Sequence, residues 1–261
     1  MISHEKKFVF VHIPRTGGTH LKKILEPYSN NPDVIPIDNC LTTFNEWAHH
    51  KSISTYLSYL SENRNQFKDS LESILTEYNF FTIIRNPWER ALSYALHEND
   101  GIFEREKFRE VLFNGTTGFG GHWGGLDDWR AHLINPHKKP THKKWPLSII
   151  SFLSLNETLE FCYFTHGFRI NSKFFDSLNY IRYENYYKEI PSLLDDLKID
   201  YNKEDFKRKT NATNHKHYSH YYLDDEIEYV GKICSLDIKL FGYEFEDRRA
   251  LIKLNKRFFQ G

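Results

Sequence analysis

The sequence predicts an α/β protein with a central, mainly parallel sheet flanked by helices. Each of two short, nearly continuous apolar runs, residues 8–13 and 80–84, is followed after a short turn by apolar residues at helical spacing. A continuous apolar run is typical of a strand that is buried on both faces, as in parallel sheets. A third strand is predicted at residues 179–183, and an amphipathic helix follows it.

The composition indicates one domain over residues 1–261. The chain is 39% hydrophobic, which is enough for a full core, and it contains no long low-complexity linker. Its formal net charge is zero, so we expect neither nucleic acid nor a membrane surface as a partner, and any anion site must be local. Three widely separated cysteines argue against a disulfide framework or a zinc site. No membrane-length apolar segment or signal peptide is visible, which predicts a soluble, cytoplasmic protein.

The first candidate site follows the first predicted strand. Arg15, Thr16, Gly17, Gly18 and Thr19 lie between this strand and a predicted helix. Unpaired backbone N–H groups at a helix N-terminus bind anions, and glycine allows a close approach of the backbone. The threonine hydroxyls and the Arg15 guanidinium add donors for phosphate or sulfate oxygens. The alternative is an ordinary strand-to-helix turn with capping threonines.

The second candidate site follows the strand at residues 80–84. This strand ends in Arg85, and Pro87 occupies a permitted first-turn position of the next helix, which carries Ser93. In nucleotide-hydrolysing P-loop enzymes the corresponding strand usually ends in an acidic residue that holds Mg²⁺. Arg85 and Ser93 instead predict a second phosphate site that needs no metal. Under the alternative interpretation, Arg85 forms a surface ion pair with Glu89, and Arg90 pairs with a neighbouring helix acid.

Both segments resemble the cofactor motifs of sulfotransferases that use 3′-phosphoadenosine 5′-phosphosulfate (PAPS). Residues 13–19 resemble the 5′-phosphosulfate loop, and residues 85–93 resemble the 3′-phosphate motif Arg-x-Pro-x-x-Arg-x-x-Ser. The branch with the greatest similarity is the carbohydrate sulfotransferases, such as the heparan sulfate 2-O and chondroitin 4-O types. Residues 179–185, 211–218 and 241–245 resemble later segments of that family. The resemblance implies a P-loop-NTPase-like sulfotransferase fold.

The resemblance also implies roles for individual residues. Arg15, where many members have lysine, would contact the bridging oxygen and stabilise charge on the leaving phosphate. The backbone from Thr16 to His20, with the Thr19 hydroxyl, would hold the 5′-phosphate, and Arg85 and Ser93 would hold the 3′-phosphate. His20 departs from the usual residue type at its position. Further phosphate contacts are expected from a later segment, at Asn214 and Lys216.

Sulfuryl transfer requires a general base near the acceptor hydroxyl, usually His or Glu in this family. We favour His50, with His49 or Glu46 as substitutes, because they lie between the two cofactor motifs. His122, in a glycine-rich segment, is the rival candidate. For each of the histidines the alternative is an ordinary solvated surface side chain.

Residues 115–147 are expected to form the acceptor side. Residues 115–125 are rich in glycine and contain aromatic residues, and residues 137–145 contain four lysines. Together they suit an anionic acceptor such as an acidic glycan, although a lysine-rich segment can also be merely solvated. Two other functions stay open. One is a metal-dependent kinase or NTPase, for which the full P-loop signature is missing. The other is a non-catalytic module that binds anions or glycans.

Overall fold

A computed structural model describes residues 1–29, 71–114, 178–206 and 215–249. These residues form an α/β fold with a four-stranded sheet in the order β1-β2-β3-β4. The strands are β1 (Ile2–Ser3), β2 (Phe8–Val11), β3 (Asn79–Ile84) and β4 (Asn179–Arg182). The predicted fold class is confirmed, and all three predicted strands are present.

The sheet is mostly parallel. Strands β2 and β3 pair in parallel, as do β3 and β4, whereas the two-residue β1, which the sequence did not predict, is antiparallel to β2. In the register Val11 lies opposite Thr82, and Ile84 lies opposite Arg182. The carboxyl ends of the three parallel strands therefore meet at one edge, which is where open α/β sheets bind ligands.

Seven α-helices lie in the described part of the chain. They are α1 (Gly18–Leu25), α2 (Leu71–Glu77), α3 (Pro87–Glu98), α4 (Arg105–Asn114), α5 (Tyr186–Asp196), α6 (Asp224–Ile233) and α7 (Ser235–Phe241). Four short 3₁₀ helices also occur, at Glu26–Tyr28, Tyr183–Asn185, Lys203–Phe206 and Tyr218–Tyr221. No helix within these ranges is both long and apolar enough to cross a membrane.

Two hydrophobic clusters stabilise the fold. In the first, Phe8, Phe10 and Phe81 of the sheet pack with residues of α1 and α5. In the second, Trp88 of α3 packs with Phe108 of α4 and with residues of α6. All four residues of β2 are buried, which agrees with the continuous apolar run in its sequence. The sheet edge that carries the candidate site is therefore held by packed elements.

The helical spacing of Ile227, Val230, Cys234 and Ile238 predicts one long helix over residues 223–240 with Cys234 in the core, and the prediction of a single helix is wrong. The structure has two helices, α6 and α7, which meet at Cys234. The backbone of Cys234 has φ −103° and ψ 20°, which leaves the α-helical region. Apolar residues keep helical spacing across this junction, so periodicity alone does not reveal the break. The prediction that Cys234 belongs to the core is confirmed, because its side chain is fully buried.

Candidate functional site

The loop between β2 and α1 has a constrained backbone. Arg15 has φ 61° and Gly17 has φ 87°, both in the left-handed region. A Cβ atom on Gly17 would lie 2.6 Å from Cε2 of Tyr183, and one on Gly18 would clash with Cδ2 of His12. A side chain at either position would therefore require its neighbour to shift, and the first turn of α1 contains no acidic residue. A glycine-bearing turn into a helix N-terminus suits an anion.

Arg85 leaves the carboxyl end of β3 and reaches this loop. Its Nη1 donates to the carbonyl oxygen of Arg15 at 3.1 Å, and its Nη2 pairs with Oε1 of Glu89 at 3.0 Å. The guanidinium also lies 4.1 Å from the ring centre of Tyr183. Arg85 is 7% exposed, and its Nε is buried without a hydrogen-bond partner. The Glu89 pair proposed as the alternative does form, but it is part of a buried cluster rather than a surface feature.

Arg15 lies against helix α3. Its Nε and Nη2 donate to the Ser93 hydroxyl at 3.2 Å and 3.0 Å. Burial lowers the pKa of Arg15, and the nearby Arg85 charge lowers it further. Within the described ranges Arg15 forms no ion pair, whereas Arg85 has Glu89. Of these two partly desolvated cations, Arg85 is paired with the Glu89 carboxylate and Arg15 has no carboxylate partner in the described ranges. A bound anion would compensate the positive charge of Arg15.

Arg90 also holds the loop, and the sequence analysis left its role open. The side chain is fully buried, and its Nε donates to the Pro14 carbonyl at 3.0 Å. Its Nη2 donates to the Tyr94 hydroxyl at 3.2 Å. Arg85 and Arg90 therefore bind two successive carbonyl groups of the loop, those of Arg15 and Pro14. The motif Arg-x-Pro-x-x-Arg contains both arginines, but no sequence signal identified these carbonyl partners.

Glu184 ties the end of β4 to the start of α3. Its Oε1 accepts from the backbone N–H of Asn86 at 2.9 Å, and its Oε2 accepts from the Tyr243 hydroxyl at 3.1 Å. The Asn86 side chain caps α3 by accepting from the N–H groups of Trp88 and Glu89. Glu184 lies within residues 179–185, the segment that resembles a later part of the sulfotransferase family, and no role was predicted for it. The structure shows that it fixes the segment that carries Arg85.

The remaining predicted cofactor residues have different surroundings. The Thr16 hydroxyl donates to the Ile13 carbonyl at 2.8 Å, so it stabilises the loop, whereas Thr19 is exposed. Nδ1 of His20 lies 3.1 Å from the Tyr186 hydroxyl, and its ring packs on Phe206. Burial lowers the pKa of His20. This histidine therefore contacts protein side chains, in keeping with its departure from the family pattern.

Lys216 is exposed, and no described contact joins it to Arg15 or Arg85. The neighbouring residue His217 lies close enough to Glu89 for an electrostatic effect. Burial is the main factor that lowers the pKa of His217, and the negative charge of Glu89 acts to raise it. Five predicted site residues lie outside the described ranges, namely Glu46, His49, His50, His122 and Asn214. The expected acceptor region, residues 115–147, lies there too. Within the described ranges no cluster of three or more His, Cys, Asp or Glu side chains could hold a metal ion.

The fold and the candidate site together define an α/β protein in which Arg15, Arg85 and Arg90 surround a glycine-bearing turn at the carboxyl edge of a parallel sheet. Residues 1–116 match the family model described as "Sulfotransferase family". The match contains both predicted cofactor motifs and supports assignment to a sulfotransferase family and, in general terms, sulfuryl transfer. No curated protein and no solved structure gave a significant match.

Proposed function

We propose that this protein transfers a sulfuryl group from PAPS to a hydroxyl group, with a carbohydrate as the favoured acceptor. One observation carries the proposal: Arg85 Nη1 donates to the Arg15 carbonyl at 3.1 Å. This bond joins the two segments that resemble the 5′-phosphosulfate loop and the 3′-phosphate motif. Both segments also lie within the part of the chain that matches the sulfotransferase family.

The residues present fit a nucleotide with phosphates at two positions. The Nε atom of Arg85 is a buried donor without a partner. A hydrogen bond from it to an anion would remove the free-energy cost of leaving this donor unsatisfied. The cradle at Gly17 and Gly18 has no room for a Cβ atom. Backbone N–H groups of residues 16–20 would hold the 5′-phosphate, and Arg85 with Ser93 would hold the 3′-phosphate. The bound donor supplies an activated sulfuryl group.

The proposed role of Arg15 is to stabilise the negative charge that develops on the leaving phosphate oxygen. Its guanidinium is held by the Ser93 hydroxyl and is partly shielded from water. In such surroundings a charge-assisted hydrogen bond is stronger than in bulk water. A general base must also accept the acceptor proton, and the sequence proposes His50, His49, Glu46 or His122. Residues 115–147 and Lys216 with Asn214 stay proposals for acceptor and phosphate contacts.

Isothermal titration calorimetry tests donor recognition. We expect 3′-phosphoadenosine 5′-phosphate (PAP) to bind without Mg²⁺ and more tightly than ATP with Mg²⁺. Arg85→Gln should weaken PAP binding about 10- to 100-fold, since hydrogen bonds to charged groups contribute about 1.5–3 kcal/mol. Arg248→Gln is the matched control, because Arg248 is an exposed arginine paired with Glu246. Equal losses in both variants, or no PAP binding at all, would contradict the proposal.

The two alternative functions give different results in the same experiments. A kinase or NTPase should prefer ATP with Mg²⁺ over PAP. A non-catalytic module should bind PAP but transfer no label from ³⁵S-PAPS to desulfated heparin, heparosan or chondroitin. The family match favours neither alternative.

A further inference from the structure

Helix α3 carries a histidine one turn beyond Ser93, the residue that Arg15 of the loop contacts. Ser93, whose hydroxyl accepts both hydrogen bonds from Arg15, is followed four residues later by His97. Residues four apart lie on the same face of a helix, about one turn from each other. His97 is exposed near the end of α3, whereas Ser93 is almost fully buried. His97 therefore lies on the same face of α3 as Ser93, which Arg15 contacts, but one turn closer to solvent.

The electrostatics agree with this geometry. Partial burial lowers the pKa of His97, and the Arg15 charge lowers it further, while Asp100 acts in the opposite direction. Since the ordinary pKa of histidine is about 6.5, a lowered value leaves the imidazole neutral at pH 7. A neutral imidazole has a nitrogen lone pair that can accept a proton.

Two other histidines in the described part of the chain, His12 after β2 and His20 on α1, contact other side chains. His12 is buried and stacks on Phe10, with ring centres 5.5 Å apart. His20 contacts the Tyr186 hydroxyl, and the charge of Lys23, not that of Arg15, acts on it. His97 thus combines proximity to Arg15 with access from solvent.

We propose that His97 is a catalytic base on the acceptor side of the site, an inference that rests on the proposed sulfuryl transfer. The acceptor hydroxyl oxygen forms a bond to sulfur, and the bond between sulfur and the bridging phosphate oxygen breaks. The electron pair of that bond stays on the phosphate beside Arg15. The hydroxyl proton passes to an imidazole nitrogen of His97 and then to solvent.

Nuclear magnetic resonance tests the juxtaposition without any acceptor. The His97 imidazole should titrate below the ordinary histidine range, and Arg15→Gln should raise its pKa. Lys23→Gln is the matched control: it should raise the pKa of His20 and leave that of His97 unchanged, because Lys23 acts on His20. An unchanged His97 pKa in Arg15→Gln would overturn the inference.

Transfer assays test the chemistry. With ³⁵S-PAPS and the acceptor among heparosan, desulfated heparin and chondroitin that the wild-type protein uses, His97→Gln should lower kcat about 10²- to 10⁴-fold. PAP affinity should change less than about twofold. His97→Ala should regain part of its activity when imidazole is added. His4→Gln is the control, since His4 bonds to Tyr78 at the amino end of β3.

The outcomes separate this inference from the proposed function. Normal PAP binding and transfer with an unaffected His97→Gln variant would overturn only the role of His97. In that case a large loss in His50→Gln would assign the proton transfer to the residue favoured from sequence. A wild-type protein that neither binds PAP nor transfers sulfate would instead refute the proposed function itself.

Discussion

Gly17→Ala offers a direct test of the loop geometry because the chain contains a matched control. Gly17 has φ 87° and Gly101 has φ 82°, so alanine is strained by a similar amount at both positions. The surroundings differ: a Cβ on Gly17 would lie 2.6 Å from Cε2 and 2.8 Å from Cδ2 of Tyr183, whereas a Cβ on Gly101 would meet no atom within 4 Å. Comparison of Gly17→Ala with Gly101→Ala therefore separates the cost of the steric clash from the cost of the left-handed backbone.

The magnitudes follow from these two contributions. A left-handed backbone costs an alanine roughly 1–2 kcal/mol relative to glycine. The reduced entropy of the unfolded chain offsets this by about 0.4–1 kcal/mol, so Gly101→Ala should lower the free energy of unfolding by about 1 kcal/mol. Forcing an extra carbon into a packed position typically costs a further 1–3 kcal/mol. Gly17→Ala should therefore lose about 2–4 kcal/mol.

Urea denaturation of the two variants, followed by circular dichroism, measures these losses. Tyr183→Ala provides the double-mutant cycle: it removes the ring atoms that the new Cβ would meet, and the cycle subtracts the lost stacking with Arg85. We expect the cost of Gly17→Ala to fall by about 1–3 kcal/mol in that background, towards the Gly101→Ala value. A cost that is the same with and without the Tyr183 ring would refute the proposed packing.

Three further perturbations probe other parts of the molecule. Glu184→Gln should weaken PAP binding about 10-fold in calorimetry, and Tyr243→Phe should weaken it less, because the carboxylate also holds the N–H group at the start of α3. Because the folded-state pKa of His20 is lowered, the contribution of this residue to stability is present above about pH 6.5 and is lost as the pH falls. The urea midpoint should therefore fall less between pH 7 and pH 5 in His20→Gln than in the wild type. An equal fall in both proteins would contradict this. Burial raises the pKa of Cys234 to about 12, so a variant that retains this cysteine alone should react with a thiol reagent at pH 8 only when unfolded.

The main features of the site could be predicted because they are local in sequence. A buried strand of a parallel sheet is typically a nearly continuous apolar run; β2 is entirely apolar, and β3 is apolar from residue 80 except for Thr82. Pro87 marks the start of α3, and the paired glycines mark the turn before α1. Parallel pairing then places the ends of the two strands at one edge. The proximity of Arg15 and Arg85 follows from these local patterns.

The contacts that organise the site join distant parts of the chain, and sequence reasoning missed them for that reason. Arg90 and its partner Pro14 are 76 residues apart, and Glu184 and its partner Asn86 are 98 residues apart. Arg90 belongs to the Arg-x-Pro-x-x-Arg-x-x-Ser motif and Glu184 to residues 179–185, but neither pattern identifies the backbone group that the side chain binds. Their roles depend on which backbone groups the fold brings to them. A single sequence contains no local signal for this.

The arrangement of the arginines suggests that the loop and helix α3 act as one unit. Arg85 and Arg90 bind adjacent loop carbonyls, while Ser93 of the same helix accepts from Arg15. A shift of α3 would therefore move the loop that is proposed to hold the 5′-phosphate together with the proposed 3′-phosphate ligands. Since all of these contacts involve charged or buried groups, each is costly to break singly. Under the proposed function, recognition of two phosphates by this one unit would allow a chain with zero net charge to bind a strongly anionic donor.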